Sequence, residues 1–255
     1  MNKWAKNGKI YVFVSMVIFI FSLSSPAMSR DLKASLAFLP EILESPEKGV
    51  FVDFVKAIDE IYTGGKIDIQ VYPFNRSVEN VINGKADFHL PMIKNPIIPE
   101  SKLPFRHVSA KTGVVVMVLY SRKDNIITAE MINKAKNLKE FPYKVETDAG
   151  IKDFFEFPVI GSSSIEQSFA KLLKGRIDAF LFAQEESDFA LKKMNVKDVH
   201  REFFKDYDDV IIIPKGPEWD EVDQILTDAL NKLKASGKLE ALHDKIHVPY
   251  QDWQP

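Results

Sequence analysis

The sequence predicts an α/β fold built as two similar lobes, and three observations lead to this prediction. Strand-like and helix-like segments alternate along the 255 residues. A Gly-basic-x-Asp pattern stands at 84–87 and again at 175–178, each time between an amphipathic helix and an apolar strand. A hydrophobic content of 45% and a charged content of 27% are typical of a chain that buries a core.

Residues 1–29 have the pattern of a cleaved secretory signal peptide. Three lysines precede an apolar run over 10–21, and small residues close the segment. Cleavage after Ala27 and cleavage after Ser29 fit equally well. The run is shorter than the roughly 20 residues that span a membrane. Losing three lysines and no acidic residue lowers the net charge from −2 to −5. We therefore expect a mildly acidic, monomeric, periplasmic protein.

The first half of the remaining chain has a βαβαβ pattern. Apolar residues at helical spacing precede Gly64 and, further on, Gly84, and glycine commonly ends a helix. Alternating or continuous apolar runs flank these helices. The predicted elements are strands at 32–38, 67–74 and 86–93 and helices at 51–61 and 76–83.

The second half repeats the unit and then ends in two helices. A polar loop of Gly and three serines separates a strand-like run from an amphipathic helix, as in the first half. The predicted elements are strands at 155–160, 175–183 and 209–216 and helices at 165–174, 219–233 and 238–246.

Two strand-like crossings, near 109–114 and 206–212, are predicted to join the lobes and to act as a hinge. The terminal helix needs a surface to cover, and these crossings place that surface on the first lobe. We therefore assign residues 30–110 and 211–255 to lobe one and residues 111–210 to lobe two.

Four segments, at 49–58, 73–87, 164–180 and 233–242, resemble the family 3 bacterial extracellular solute-binding proteins in the same order. The resemblance spans most of the chain after the signal peptide. It implies a type II periplasmic-binding-protein fold with a hinge of two crossing strands. It also implies closure on a small-molecule ligand and delivery of that ligand to an ABC permease.

The resemblance does not extend to the residues that bind α-amino acids in this family. Members that bind amino acids carry an arginine in the segment equivalent to 94–100, and this chain has none there. They also carry an acid where this chain has Ala183, followed by Gln184 and Glu185, which we include among the candidate ligand-binding residues. Arg76 instead matches a Pro-aromatic-x-Arg motif found in a less characterised branch.

The loops after the strands are where an open α/β sheet binds ligands. Phe38 ends the first predicted strand, and Arg76 stands at a strand-to-helix junction, where a guanidinium can pair with a carboxylate. Arg76 is alternatively a solvated first-turn residue, and Phe74 either stacks on a ligand or fills the core. We expect the ligand to be small, polar and partly anionic.

Further candidates lie in the loops of both lobes. Asp148 and Gly150 follow an earlier strand of lobe two, and Gly150 permits close backbone approach. Ser162 and Ser163 precede a helix, and Ser163 stands at capping-box spacing from Glu166. Plain turn and capping chemistry is the alternative for all of these residues.

The strand at 86–93 and the residues after it supply the remaining candidates. His89 and Met92 can face a cleft, although a buried histidine that is satisfied within the core is the commoner case. Pro91 should interrupt the ladder, as it does at strand ends. Lys94 and Asn95 can replace the missing arginine as polar contacts, or Lys94 can be solvated.

Enzymatic, metal and nucleic-acid functions have weak support. The chain has no cysteine, no nucleophile elbow, no phosphate-binding loop and no net positive charge. His243 and His247 have metal-capable spacing, but a surface pair on a terminal helix is the stronger prediction. We therefore expect no metal, cofactor or nucleic acid. A periplasmic enzyme with Glu185 or Asp148 as base, or a ligand sensor, is the alternative.

Overall fold

The computed structural model describes residues 30–39 and 42–255. The predicted signal peptide and both cleavage positions lie outside the described residues. The strands are β1 Leu32–Ala37, β2 Ile67–Tyr72, β3 Phe88–Ile93, β4 Phe105–Arg122, β5 Val145–Asp148, β6 Ile160–Ser162, β7 Ala179–Ala183 and β8 Val199–Pro214. The helices are α1 Val50–Ile61, α2 Phe74–Ile82, α3 Ala129–Ala135, α4 Ile165–Leu173, α5 Gln184–Lys193, α6 Asp220–Ala235 and α7 Lys238–Ile246.

The strands form one sheet in the order β2-β1-β3-β8-β4-β7-β5-β6. β1 is parallel to β2 and β3, and β5 is parallel to β6 and β7. The long strands β4 and β8 pair antiparallel in the middle, and the predicted crossings near 109–114 and 206–212 lie inside them. The β4–β8 register shifts between His107 and Lys111 and again between Lys111 and Gly113. A shift of register bends and twists a strand pair locally.

The buried apolar side chains fall into two regions of the chain. One region draws on residues 32–108 and 210–246 and buries side chains of α1, α6 and α7 in one core with side chains of β1, β3 and β8. The other draws on residues 115–207 and buries both faces of β4 and β7. Because apolar burial is the main driving force of folding, each region has a core of its own.

The chain after α7 does not stay with the first region. Tyr250 and Trp253 pack against the part of the second core that includes Phe169 and Leu191. Residues 248–255 therefore leave the part of the molecule that α7 covers. No described helix is long and apolar enough to cross a membrane.

Several predicted boundaries differ from the structure. The strand predicted at 67–74 ends at Tyr72, because Pro73 has no N–H for the ladder, and Phe74 begins α2 instead. The strand predicted at 155–160 is wrong. Its aromatic residues alternate because they pack inward, with Phe157 stacked on Phe141 at 5.3 Å between ring centroids. Pro91 lies within β3 rather than at its end. The register between β3 and β8 shifts around Pro91, between His89 and Met92.

Candidate functional site

The first turn of α2 contacts the loop that follows β5. The Phe74 ring stands edge-on to His89 with 5.5 Å between centroids, and this contact fixes its orientation. A Cβ placed on Gly150 would lie 3.0 Å from Cδ1 of Phe74. The absence of a side chain at Gly150 therefore lets the two halves of the molecule approach closely here.

A cavity of about 350 Å³ opens beside this contact. Most of its wall comes from α2, the end of β3, the loop after it and the start of β4, while Gly150 and Phe154 close it from the other half. Of the predicted site residues, the cavity wall includes Phe74, Met92, Asn95 and Gly150. The remaining wall residues are Asn75, Val78, Glu79, Ile93, Ile98, Leu103, Phe105, His107 and Phe154.

Asn95 links the two sides of the cavity. Its Nδ2 donates to the carbonyl oxygen of Asp153 at 3.3 Å. Its Oδ1 accepts hydrogen bonds from the N–H of Ile97 at 2.8 Å and from the N–H of Ile98 at 3.4 Å. The buried amide thus holds the loop after β3 in shape while it contacts the segment after β5. Asn95 is therefore a polar wall residue that already uses part of its hydrogen-bonding capacity within the protein.

His107 is a wall residue that sequence reasoning missed, because it is one polar residue within a strand. Its side chain is 4% exposed, and its Nδ1 faces the Glu100 carboxylate. Oε1 of Glu100 lies 3.3 Å from Nδ1 and accepts the backbone N–H of His107 at 2.8 Å. Burial lowers the pKa of His107, and Glu100 opposes this only in part. The ring is therefore neutral at pH 7.

His89 is fully buried and is not among the wall residues. Its Nδ1 lies 2.7 Å from Oγ of Ser77 and 3.1 Å from the carbonyl oxygen of Ser35. The two serine hydroxyls are 2.9 Å apart. Burial lowers the pKa of His89 to about 4, so it is neutral at pH 7. This network ties α2 to β1 and β3 beneath Phe74.

Asp148 and the serines shape the loops of the second half. Oδ1 of Asp148 accepts the N–H of Gly150 at 2.7 Å, and burial raises the pKa of the carboxyl group. Buried Ser162 donates to the carbonyl oxygen of Ser164 at 3.2 Å, and Ser163 is exposed. The capping prediction for Ser163 is wrong. Ser164 caps α4 and accepts from Gln167 at 3.3 Å, because the helix begins one residue later than the cap prediction requires.

Three candidates lie exposed at the edge of the sheet. Arg76 is in the first turn of α2, and no ion pair of its side chain occurs among the described residues. Phe38 is 45% exposed directly after β1. Lys94 is exposed and uses its backbone N–H to bond the carbonyl oxygen of Asp208 at 2.8 Å. None of the three is among the cavity wall residues.

Gln184 and Glu185 begin α5 and hold the segment after α7. Oε1 of Gln184 accepts from Arg201 and from the N–H of Gln251, each at 3.1 Å. Oε1 of Glu185 accepts the N–H of Val248 at 2.9 Å. Both side chains are thus engaged with other parts of the chain, and neither lies among the cavity wall residues.

An acidic cluster surrounds His247 where α7 ends. Nδ1 of His247 lies 3.5 Å from Oε2 of Glu185, and Nε2 lies 3.8 Å from Oδ2 of Asp209. Burial raises the pKa of Glu186 to about 7 and also raises the pKa of Asp209. Although burial alone lowers the pKa of His247, the neighbouring carboxylates raise it above its ordinary value. The pKa of Glu186 therefore lies near neutral pH, and the neighbouring carboxylates favour the protonated form of His247.

The prediction of a surface histidine pair is wrong. His247 is 5% exposed, and Nε2 of His243 accepts the N–H of Val114 at 2.9 Å. A Cβ on Gly113 would overlap the His243 ring, so α7 lies directly against β4. The described residues contain no group of three or more acidic or histidine side chains arranged to hold a metal ion.

No sequence-family model matches the chain, and no curated protein matches it. Among solved structures, the GluR0 ligand-binding core from Nostoc punctiforme in complex with L-glutamate is 18% identical. Its TM-score is 0.62, with 86% of this chain and 100% of that chain covered. The probable amino-acid ABC transporter extracellular-binding protein ytmK from Bacillus subtilis is 17% identical, with a TM-score of 0.62 and coverage of 85% and 97%.

A histidine kinase sensor domain with similarity to periplasmic binding proteins is 13% identical, with a TM-score of 0.65 and coverage of 85% and 95%. At these identities the comparisons show the fold. The chain has the α/β fold of the type II periplasmic binding proteins, with two crossing strands, as the sequence predicts.

Proposed function

We propose that this protein is a periplasmic solute-binding protein that captures a small molecule between two lobes and delivers it to an ABC permease. Lobe one comprises residues 30–110 and 211–247, and lobe two comprises residues 111–210 and 248–255. Residues 248–255, first expected in lobe one, are assigned to lobe two because Tyr250 and Trp253 pack on its core. The protein acts as a monomer.

One observation carries this proposal: the cavity has walls from both halves at the edge where the strands end. Gly150 and Phe154 face α2 and β3 across it, and Asn95 bonds to Asp153 beside it. Small-molecule sites are typically concave and lie between domains or at this edge of an α/β sheet. Ligand bound here would contact both lobes and favour the closed arrangement.

The hinge of the proposed closure is the β4–β8 pair. Two of its three register shifts lie between His107 and Gly113, close to the place where the two cores separate, and the third lies between Met117 and Val118. A few residues at such irregular positions can absorb the dihedral changes of domain closure.

The exposed residues at the same edge complete the proposed site. Arg76, Phe38 and Lys94 form its rim, where Arg76 meets an acidic group of the ligand. Similarity to ytmK supports the transport role, and similarity to the histidine kinase sensor domain supports a ligand sensor as the second candidate. As a base for an enzyme, Glu185 would first have to release Val248.

The test is a thermal-shift screen of small metabolites against the exported protein, followed by calorimetry on the hits. At 100 times its dissociation constant, a ligand should raise the free energy of unfolding by about 2.7 kcal/mol. A carrier returns the compound chemically unchanged, which mass spectrometry after incubation checks. Uptake of the labelled compound by cells with and without the protein separates transport from sensing. If no small molecule binds, the proposal is wrong.

A further inference from the structure

Most of the cavity wall is apolar. Both halves of the molecule, and every element that lines the cavity, contribute apolar side chains. Met92 and Phe105 are 5% and 8% exposed, so these surfaces are largely withdrawn from water already. The apolar wall residues are Phe74, Val78, Met92, Ile93, Ile98, Leu103, Phe105 and Phe154.

The wall has few side chains that could pair with a charged group of a ligand. No cationic side chain is among the wall residues, and the acidic one, Glu79, is exposed. Burying a charged group without a partner costs several kcal/mol. A free α-amino acid would find no cationic wall residue for its carboxylate inside this cavity, and only the exposed Glu79 for its ammonium.

One polar wall group is available to a ligand. His107 has a 4% exposed side chain, and its Nδ1 lies 3.3 Å from the Glu100 carboxylate, so the neutral ring carries its proton on Nδ1. Its Nε2 makes no hydrogen bond with the described residues, and a ligand that carries one N–H or O–H group can donate to this nitrogen. The adjacent Phe105 ring, edge-on to His107 at 5.8 Å between centroids, favours an aromatic neighbour.

We infer that the enclosed part of the ligand is an uncharged aromatic ring with one hydrogen-bonding group. The ring packs among Phe74, Met92, Phe105 and Phe154, and its polar group bonds His107. The cavity of about 350 Å³ lies within the usual range for small-molecule sites. This inference rests on the proposed function and adds the chemical class of the ligand, while any acidic group stays outside at the rim.

The experiment uses indole and benzyl alcohol as probes and L-glutamate and L-arginine as comparators, by thermal shift and calorimetry on the exported protein. At 100 times the dissociation constant, indole should raise Tm by about 5 to 10 °C. Phe154→Ala should weaken indole binding about tenfold, because it removes one aromatic wall. Phe155→Ala, one residue along and outside the cavity wall, is the matched control and should change affinity less than about twofold.

Each alternative outcome has a definite meaning. Binding of an amino acid without binding of indole or benzyl alcohol would overturn the ligand class and leave the proposed function standing. Equal loss of indole affinity in Phe154→Ala and Phe155→Ala would overturn the assignment of the ligand to this cavity. If the probes and every metabolite of the wider screen fail to bind, the inference and the proposed function both fall. Phe154→Leu keeps the wall apolar and shows whether misfolding, rather than the missing ring, causes the loss of indole affinity in Phe154→Ala.

Discussion

Arg201 and Asp188 form a buried ion pair that anchors the C-terminal segment. Nη2 of Arg201 lies 2.8 Å from Oδ2 of Asp188, and Nε lies 3.1 Å from Oδ1, while the Arg201 side chain is 0% exposed. The guanidinium also lies over the rings of Tyr250 and Trp253, at 5.1 and 4.7 Å from their centroids. Its Nη1 donates to the carbonyl oxygens of Gln251 and Trp253. Residues 248–255 therefore form a third link between the two halves, besides β4 and β8.

Replacing Arg201 should destabilise the whole protein. Arg201→Met leaves Asp188 buried without its partner, and breaking a buried pair in this way typically costs about 3 to 5 kcal/mol. Chemical denaturation should show this loss of unfolding free energy. The control is Arg122→Met, since the partner of Arg122, Asp124, is 76% exposed. That variant should lose less than about 1 kcal/mol, and equal losses would contradict the anchoring role.

The acidic cluster around His247 should make stability fall as the pH rises. Burial raises the pKa of Glu186 from its ordinary 4.5 to about 7, so the folded state binds more protons than the unfolded state between these values. The stability that this group contributes is full below about pH 4.5 and is lost as the pH passes about 7. At pH 8, Glu186→Gln should therefore stabilise the protein by at most about 3 kcal/mol.

Urea denaturation of wild type and Glu186→Gln from pH 4 to pH 8 measures this dependence. The raised pKa of His247 acts in the same direction, because its proton is also held more tightly in the folded state. Glu240→Gln on exposed α7 surface is the control and should leave the profile unchanged. A difference between wild type and Glu186→Gln that stays constant with pH would refute the argument.

Gly113 and His243 should behave as a coupled pair. A methyl group at Gly113 would overlap the His243 ring, which must then move and release the N–H of Val114. Gly113→Ala should cost about 1 to 3 kcal/mol. In the His243→Ala background the same change should cost far less, because the obstacle is gone. A double-mutant cycle by thermal denaturation measures the coupling, and additive effects would show that the two residues do not touch.

Arg76 should matter for acidic ligands only. We expect Arg76→Ala to weaken binding of a carboxylate-bearing aromatic probe such as benzoate about tenfold, because a charge-assisted bond is lost. Benzyl alcohol, which lacks the carboxylate, should bind the variant and wild type equally. Lys85→Ala, an exposed cation after α2, controls for a general change of charge. Calorimetry on both probes decides, and unchanged benzoate affinity would remove Arg76 from the site.

The elements that depend on local pattern were predictable. β1, α1, α4 and α7 lie where apolar periodicity and flanking glycines placed them, because such signals are encoded within a few residues. The strand at 155–160 was not, because its alternating aromatics pack into a core without strand partners. Helix α5 has a weak apolar stripe, and its existence depends on contacts with β4 and β7.

For the candidate site residues, their position after a strand predicted which of them lie at the cavity better than it predicted what each residue does. Phe74, Met92, Asn95 and Gly150 line the cavity, as expected for residues that follow strands. Gln184 and Glu185 also follow a strand, yet they bind residues 248–251 of the same chain. No sequence signal marks that contact, because its partners lie more than 60 positions away.

The sequence by itself determined the α/β class, the doubled unit and the edge of the sheet at which to look for a ligand. These follow from local periodicity and from the rule that strands of one parallel unit end on the same side. Only the tertiary structure decided which polar groups are free to meet a ligand. Burial and hydrogen bonding assign His89 to the core, Gln184 to the C-terminal segment and His107 to the cavity wall, and these properties arise from residues brought together by the fold.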